Sequence, residues 1–435
     1  MTSYYLLRLA VPLLLVVGGC AKKESDAAAP DPNAPILNAN DTGWERVVSI
    51  PITAAPGINN SNSMTLVDLQ LTGSEVLALY SEFTNLAGNL PTSQYKARVP
   101  LSGAAVISPL PRLDASTRDV FGGDNYLNSF FFQPGTFDAY RGRISGGTGL
   151  GNFGASEVQA ESGQRYSTGS FPCLLNSIPG YFYGAPAQLQ ADGTVLFSRG
   201  FTENGHWQYW LAFYQRGRFL RALTQDRGRG TSPLATAFQA VRLPSGRLHG
   251  ALITEDKVAI TDTIRRALPT GNPTLGPIVT ATFPNHRAGA GLLAKAFGNS
   301  LVFVTWGEAP YRFSAYRWQE GSASIQQLYA NVALPETTLP LSPVLTQPFI
   351  NAQLDANGGL HFFAKLPNAA GAVGTALVRV DASGAQPVSK LLNLKDLYAF
   401  SGLRLLNGQW YAGLGLTIDN AVVPGRRLDI VRLRP

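Results

Sequence analysis

The sequence is short of charge, cysteine, histidine and long apolar runs, and each shortage removes a class of protein. Only 14% of the residues are Asp, Glu, Lys or Arg, too few to coat the solvent faces of many helices. Two cysteines exclude a disulfide framework. Four histidines (His206, His249, His286, His361), with no H-E-x-x-H, no H-x-H and no Cys/His cluster, give a zinc site no local support. No metal and no cofactor is expected. The G-x-S-x-G turn that presents a nucleophilic serine is missing. The glycine-rich Gly146-Gly147-Thr148-Gly149-Leu150-Gly151 lacks a Lys-Ser/Thr pair and reads as a loop, not a phosphate cradle. The apolar run from Leu9 to Val17 contains Pro12 and falls well below the roughly 20 residues that span a bilayer. No later stretch is a better candidate. What is abundant is glycine, 45 residues, and proline, 29. Many turns and few charged helical faces point to an all-β chain.

The first residues carry a signal. Arg8 is a thin positive region, the apolar run follows, and Val17-Gly18-Gly19-Cys20 closes it. This resembles the lipobox of bacterial lipoprotein signal peptides. The resemblance implies that 1–19 is removed and that Cys20 becomes the lipidated first residue, so the partner at this end is the membrane. Residues 20–43 (CAKKESDAAAPDPNAPILNANDTG) are rich in Ala, Pro, Asp and Asn and read as a flexible tether. Ala21 stands where inner-membrane lipoproteins often carry Asp, which by resemblance favours the outer membrane. Lys22-Lys23-Glu24 is similar to tags that send some lipoproteins to the cell surface. With Cys20 consumed, Cys173 has no partner in the chain and is expected to be buried and inert. The formal net charge is +7, one less once Arg8 is removed. This mild excess suits anionic lipid head groups or acidic glycans; an exported chain is not expected to bind nucleic acid.

A repeat organises residues 44–435. An apolar strand, a tight glycine turn and a second apolar strand recur at 66–80, 187–200, 240–253, 292–306, 351–365 and 402–416. The turn glycines are Gly73, Gly193, Gly246, Gly298, Gly358 and Gly408. Later copies are about fifty residues apart, and the gap between the first two is about double, so 121–144 fills it as a degenerate copy. Asp-Gly, Ser-Gly and Asn-Gly supply the positive φ of tight hairpins. Each unit holds about four strand-like runs; in the fifth they are GLLAKAF, LVFVTW, RFSAYRW and SIQQLYA. Seven such units predict a β-propeller of four-stranded blades. The last unit has three runs (GLRLL, QWYAGLGL, RLDIVRL) and lacks its outer strand, whereas WERVVSIPI at 44–52 is left over. Pairing of 44–52 with the last blade is expected to close the ring. Eight blades remain the competitor, because 145–185 is long enough to hide a sheet. Asp355-Ala356-Asn357-Gly358-Gly359-Leu360-His361 resembles the turns of many secreted bacterial propellers, and no particular propeller family is matched.

Chemistry has few places to sit. His249 and His361 follow their turn glycines at equivalent distance and read as structural residues. Arg216, Arg218, Arg221, Arg227 and Arg229 form the densest charge cluster, read as a solvated sheet edge. A ligand is expected on the face opposite the short glycine turns, where longer loops supply material. The loop 200–207 offers Glu203, Asn204, His206 and Trp207; the loop 307–312 offers Glu308, Tyr311 and Arg312; the loop 284–290 offers His286 and Arg287. Aromatic rings with carboxylates and arginines suit a glycan or an envelope protein. No catalytic residue is assigned. The expectation is a monomeric, lipid-anchored propeller at the outer membrane that binds or scaffolds without catalysis. Two alternatives stand beside it: a carbohydrate-active propeller hydrolase using Glu203 and Glu308 as its acid/base pair, and an assembly partner for outer-membrane proteins.

Overall fold

The structure is a computed structural model. It describes 43–51, 62–84, 92–101, 104–109, 129–132, 139–144, 152–153, 156–161, 165–167, 171–172, 184–189, 195–203, 206–215, 218–224, 238–253, 257–262, 274–275, 277–282, 291–307, 311–340, 352–367, 373–392, 398–416 and 427–434. The fold is all-β. Seven sheets of four or five strands follow one another along the chain among the described residues, all but one pairing antiparallel.

Sheet one holds Asn62–Leu71, Glu75–Thr84, Thr92–Pro100 and Val106–Pro109 in that spatial order. Sheet two holds Ser129–Phe132, Ala139–Ile144, Ser156–Ala160 and Arg165–Ser167, so the degenerate copy at 121–144 supplies its first two strands. The long stretch 145–185 is thereby divided. Part of it completes sheet two, and Asn152–Phe153 pairs with Phe171–Pro172 as a separate two-stranded ladder. Sheet three holds Gly184–Leu189, Val195–Glu203, His206–Gln215 and Arg218–Thr224. It gains a parallel fifth strand, Thr274–Leu275, borrowed from the sheet-four connection. Sheet four holds Phe238–Arg242, Leu248–Ile253, Lys257–Asp262 and Pro277–Thr282. Sheet five holds Gly291–Phe297, Ser300–Trp306, Arg312–Gln319 and Gln326–Ala333, the four runs read from the sequence.

Sheet six departs from the plan at its first strand. Two short pieces, Leu339–Pro340 and Gln353–Leu354, both pair with Leu360–Pro367, which leads on to Val373–Asp381 and Gly384–Pro387. Sheet seven holds Tyr398–Leu406, Gln409–Leu416 and Arg427–Leu433. Its outer strand comes from the other end of the chain. Trp44–Pro51 lies antiparallel on Arg427–Leu433, with Trp44 opposite Leu433 and Pro51 opposite Arg427.

The apolar runs are explained by cover on both faces. Every residue of Ser300–Trp306 after Ser300 is buried, and Phe303 and Val304 are fully enclosed. Burying a side chain of that size contributes about 1.5–3 kcal/mol. The outer strand Gln326–Ala333 is half exposed, with only Tyr329 buried, and reads more polar.

Neighbouring sheets share separate cores. Val241, Val258 and Ile260 of sheet four meet Leu301, Phe303, Tyr316 and Trp318 of sheet five. Val302, Val304 and Phe313 of sheet five meet Leu354, Leu360, Phe362 and Val378 of sheet six. Phe363 and Leu377 of sheet six meet Phe400, Leu403, Leu414 and Trp44 of sheet seven. Leu428 and Ile430 of sheet seven then meet Met64, Leu66 and Tyr80 of sheet one. Leu77 and Leu79 of sheet one meet Ala139 of sheet two.

The first strands also touch in order. Asn62–Leu71 contacts Ser129–Phe132, which contacts Gly184–Leu189, which contacts Phe238–Arg242. Phe238–Arg242 contacts Gly291–Phe297, which contacts Gln353–Leu354, which contacts Tyr398–Leu406. The circuit returns when Tyr398–Leu406 contacts Asn62–Leu71.

The glycine turns join first to second strands. Gly246, Gly298, Gly358 and Gly408 all have left-handed φ, at 82°, 55°, 82° and 76°. At Gly358 a side chain is excluded twice. Its φ is unfavourable for other residues, and a Cβ would stand 2.8 Å from Leu328 Cδ1 and 2.9 Å from Ala315 Cβ. Gly73 is not in the left-handed region; its turn is held by the Thr72 N–H donating to the Glu75 carbonyl at 3.0 Å. Gly193 lies outside the described residues.

Candidate functional site

The loops singled out in the sequence take different forms. Residues 200–207 are not a long loop. Val195–Glu203 and His206–Gln215 run as paired antiparallel strands, with Glu203 opposite His206 and Thr202 opposite Trp207. The backbone therefore brings Glu203, His206 and Trp207 together at the end of one hairpin. Asn204 lies outside the described residues, as do His286, Arg287, Glu308 and Cys173. The Glu203–Glu308 separation that an acid/base pair needs thus falls outside them too. Tyr311 is half-buried against the core between sheets five and six, and its carbonyl accepts the Leu334 N–H at 2.9 Å. Arg312, the first residue of its strand, is exposed.

Two clusters hold the residue types of a reactive site. In the first, the Ser245 hydroxyl donates to Glu320 Oε1 at 2.8 Å, and His249 Nε2 stands 3.4 Å from the same oxygen. A hydrolytic triad needs the serine proton aimed at the histidine and the carboxylate behind it. Here both groups converge on one carboxylate oxygen. His249 is only 1% exposed, and its ring lies 4.8 Å from that of Trp318. The arrangement latches the sheet-four turn to sheet five, with Ser245 exposed above and His249 buried beneath the shared carboxylate.

The second cluster surrounds His361. Its ring is buried against Trp410 of sheet seven at 4.5 Å. Asp355 Oδ1 accepts the N–H groups of Asn357 and Gly359, both at 2.8 Å, which fixes the turn. Arg379 bridges Asp355 and Asp381 at 3.4 and 3.1 Å. From sheet five the Tyr329 hydroxyl donates to the Gly358 carbonyl at 2.8 Å, and burial raises its pKa so that it remains a donor.

Burial also holds the His361 imidazole below the ordinary histidine range; Asp355 opposes this and Arg379 adds to it. The unfolded chain then binds a proton that the folded chain refuses, so stability rises with pH across that window and is lost as pH falls from about 6.5. Melting temperature is expected to drop on acidification from about pH 7.5 to about pH 5, and His361→Gln to flatten the drop. Equal slopes for the two proteins in a calorimetric pH series would dismiss the effect.

Among the described residues no three His, Cys, Asp or Glu side chains gather as a metal-binding group.

Sequence reasoning missed one pair of side chains. Lys295 and Arg404 stand on the first strands of sheets five and seven, each the third residue counting back from the strand's end at a glycine turn. They hold the same register: Lys295 faces Val302 and Arg404 faces Tyr411, each the third residue of its second strand. Aligning the repeats on their turns would have brought them together. The corresponding positions of sheets four and six carry Ala240 and Ala352. Arg404 is tied down. Its Nε donates to Asp68 Oδ1 at 3.1 Å, Nη2 to the Val67 carbonyl at 2.9 Å and Nη1 to the Leu403 carbonyl at 2.8 Å. Lys295 is exposed, 5.6 Å above its neighbour Phe297, and has no carboxylate partner among the described residues.

No family model matches the chain, and no curated protein matches it. Solved structures with a related course of chain exist at low similarity. The polysaccharide lyase Uly1 is 8% identical with a TM-score of 0.43, over 84% of this chain and 89% of that one. A prolyl endopeptidase is 11% identical with a TM-score of 0.42, and 86% of this chain spans 51% of it. The β-propeller domain of the Trilobed protease from Pyrococcus furiosus is 10% identical with a TM-score of 0.37, over 85% and 95%. Similarity this low assigns no reaction.

Proposed function

We propose that the chain is a seven-bladed β-propeller, closed by its N-terminal strand and tethered by a lipid on Cys20, that binds a ligand without transforming it. The observation that carries the fold is the circuit of first strands, in which sheet seven packs on sheet one and takes Trp44–Pro51 as its outer strand. Sheets repeated about an axis leave only short protected edges. A non-catalytic role is supported by the two clusters with reactive residue types, since both are spent holding neighbouring sheets together. The envelope location rests on the Val17-Gly18-Gly19-Cys20 box and the polar tether behind it. The ligand is a glycan or an envelope protein, met at the hairpin of Glu203, His206 and Trp207 on sheet three and at the exposed Arg312 on sheet five.

Two experiments test this. Cys20→Ala is expected to shift the protein from the membrane fraction to the soluble one, or to leave it unprocessed, by fractionation and intact mass. Unchanged partition and unchanged mass would end the lipoprotein reading. A glycan array probed with residues 44–435 is expected to give binders that Trp207→Ala weakens by about thirtyfold, the loss of roughly 2 kcal/mol typical of an aromatic anchor. Turnover of any glycan on the array would favour the hydrolase instead.

A further inference from the structure

We infer that the molecule stands on its membrane by the end that carries the glycine turns, and that the corner of sheets seven and one at this end docks on anionic phospholipid. The inference goes beyond the binding role above but rests on its Cys20 anchor. It does not depend on the Trp207 hairpin.

The turns of five consecutive sheets share one end. Ser245, in the turn of sheet four, donates to Glu320 beside the turn of sheet five. Arg317 Nη2 of sheet five donates to the Ala356 carbonyl, in the turn of sheet six, at 2.7 Å. His361 and Trp410, each just past its turn glycine, hold sheets six and seven together. Arg404 reaches Asp68 as the first strands of sheets seven and one run side by side toward their turns.

The N-terminal strand enters at that same end. The Arg434 N–H donates to the Gly43 carbonyl at 2.8 Å, and Arg432 spans Glu45 and Gln409, the residue after the Gly408 turn. Twenty-two residues separate Cys20 from Gly43. A polar coil of that length averages about 25 Å end to end. A ten-residue strand such as Asn62–Leu71 is about 33 Å long. The average linker is shorter than the sheets are tall, so the entry end is the one a lipid on Cys20 holds at the bilayer.

The side chains at this corner suit such a surface. Leu101, Val106 and Leu405 are 54, 61 and 43% exposed. Leu405 precedes the last residue of its strand, the Leu101 N–H donates to the Ser74 carbonyl in the sheet-one turn, and Val106 stands opposite Arg98. Trp44–Pro51 contacts Thr92–Pro100, so these residues flank the point of entry. The ion pairs beside them turn their arginines outward. Arg98 is 48% exposed against 26% for Glu75, and Arg434 48% against 22% for Glu45. Anionic head groups attract exposed cations, and the layer beneath them takes up apolar side chains. In the propeller proposed above, the hairpin of Glu203, His206 and Trp207 closes the other end of sheet three, so it faces away from the bilayer and stays open to ligand.

The test puts a tryptophan at either end of the full lipidated chain. Leu405→Trp marks the glycine-turn end. Val373→Trp marks the other end, because Val373 is exposed and pairs with Pro367, at the end of its strand far from Gly358. Both sites are exposed, so neither change disturbs a core. The proteins are carried on vesicles of phosphatidylethanolamine and phosphatidylglycerol with brominated acyl chains, which quench only fluorescence close to them. The added fluorescence of Leu405→Trp is expected to be quenched several-fold more than that of Val373→Trp. Joint Arg98→Glu and Arg434→Glu substitution, or vesicles of brominated phosphatidylcholine alone, is expected to reduce the difference. Equal quenching at the two ends, or stronger quenching of Val373→Trp, would overturn the inference while leaving the anchor intact. A difference untouched by both the charge reversal and the neutral lipid would overturn the anionic docking. A chain that fails to float with the vesicles would remove the Cys20 anchor, and this inference with it.

Discussion

Removal of 44–51 is expected to destroy cooperative unfolding or to lower the melting temperature far more than removal of 21–42. The strand is more than an edge. Trp44 and Ile50 are fully buried. The Trp44 ring sits 5.2 Å from Phe400 and 5.8 Å from Phe363, so it joins sheets six and seven. Trp44→Ala alone should cost about 3–5 kcal/mol, the usual range for emptying a large aromatic site. The strand also satisfies a buried charge. Ser49 Oγ donates to Asp429 Oδ1 at 2.6 Å and Arg427 Nε to the same oxygen at 2.8 Å, with Asp429 only 1% exposed. Burial raises the Asp429 pKa against these two donors. Without Ser49 the carboxylate loses a donor and the covering strand at once. At the rim Glu45 pairs with Arg432 and Arg434, which hold its carboxyl below the ordinary range. Calorimetry on the two deletions separates the cases, and equal losses would show that the strand is dispensable.

Gly415→Ala should be the most damaging alanine substitution among the described glycines. A Cβ there would lie 2.0 Å from the Met64 carbonyl oxygen, and one at Gly413 would lie 2.4 Å from Leu66 Cβ. The obstacle at Gly415 is backbone, which cannot turn aside as a side-chain tip does. Sheets seven and one would have to part along a line that also holds the Leu66 N–H to Ser401 Oγ bond at 2.9 Å. Overpacking costs about 1–3 kcal/mol where the core can adjust and more where it cannot, so about 3 kcal/mol or more is expected. Gly73→Ala is the control. Its Cβ meets nothing within 4 Å and its φ is not left-handed, so it should be neutral or gain up to about 1 kcal/mol through the unfolded chain. Urea unfolding of both variants is the measurement. A Gly415→Ala protein as stable as Gly73→Ala would contradict the packing of sheet seven on sheet one.

Much of this architecture is legible in the residues. Apolar cover on both faces marks Ser300–Trp306 and Gln409–Leu416, and the turn glycines between first and second strands fall where the period puts them. The unpaired run at 44–52 and the incomplete last unit pointed to each other because a strand that buries Trp44 and Ile50 must find a sheet. Other parts were hidden for physical reasons. Gly200 and Thr202 read as loop, yet they continue a strand, because their partners Tyr209 and Trp207 supply the β-forming surface. The first strand of sheet six is broken into two pieces, and neither is long enough to show a period of two. Lys295 and Arg404 were invisible because nothing in their local sequences links them; only a shared register about the circuit does.

The pairing of Trp44–Pro51 with Arg427–Leu433 also sets the order in which the molecule can mature. Ser49 and Asp429 are 380 residues apart, so one half of the clasp is made early and waits for the other. The entropy of closing so large a loop grows only logarithmically with its length, but contacts this distant form slowly. Until the last strand arrives, Gln409–Leu416 and Trp44–Pro51 both carry open edges of the kind that recruit other chains. A chain truncated by even one strand stays in that state for good. The two ends of the chain are therefore coupled: Arg427–Leu433 covers one edge of Trp44–Pro51 and one of Gln409–Leu416, and a chain lacking it leaves both open.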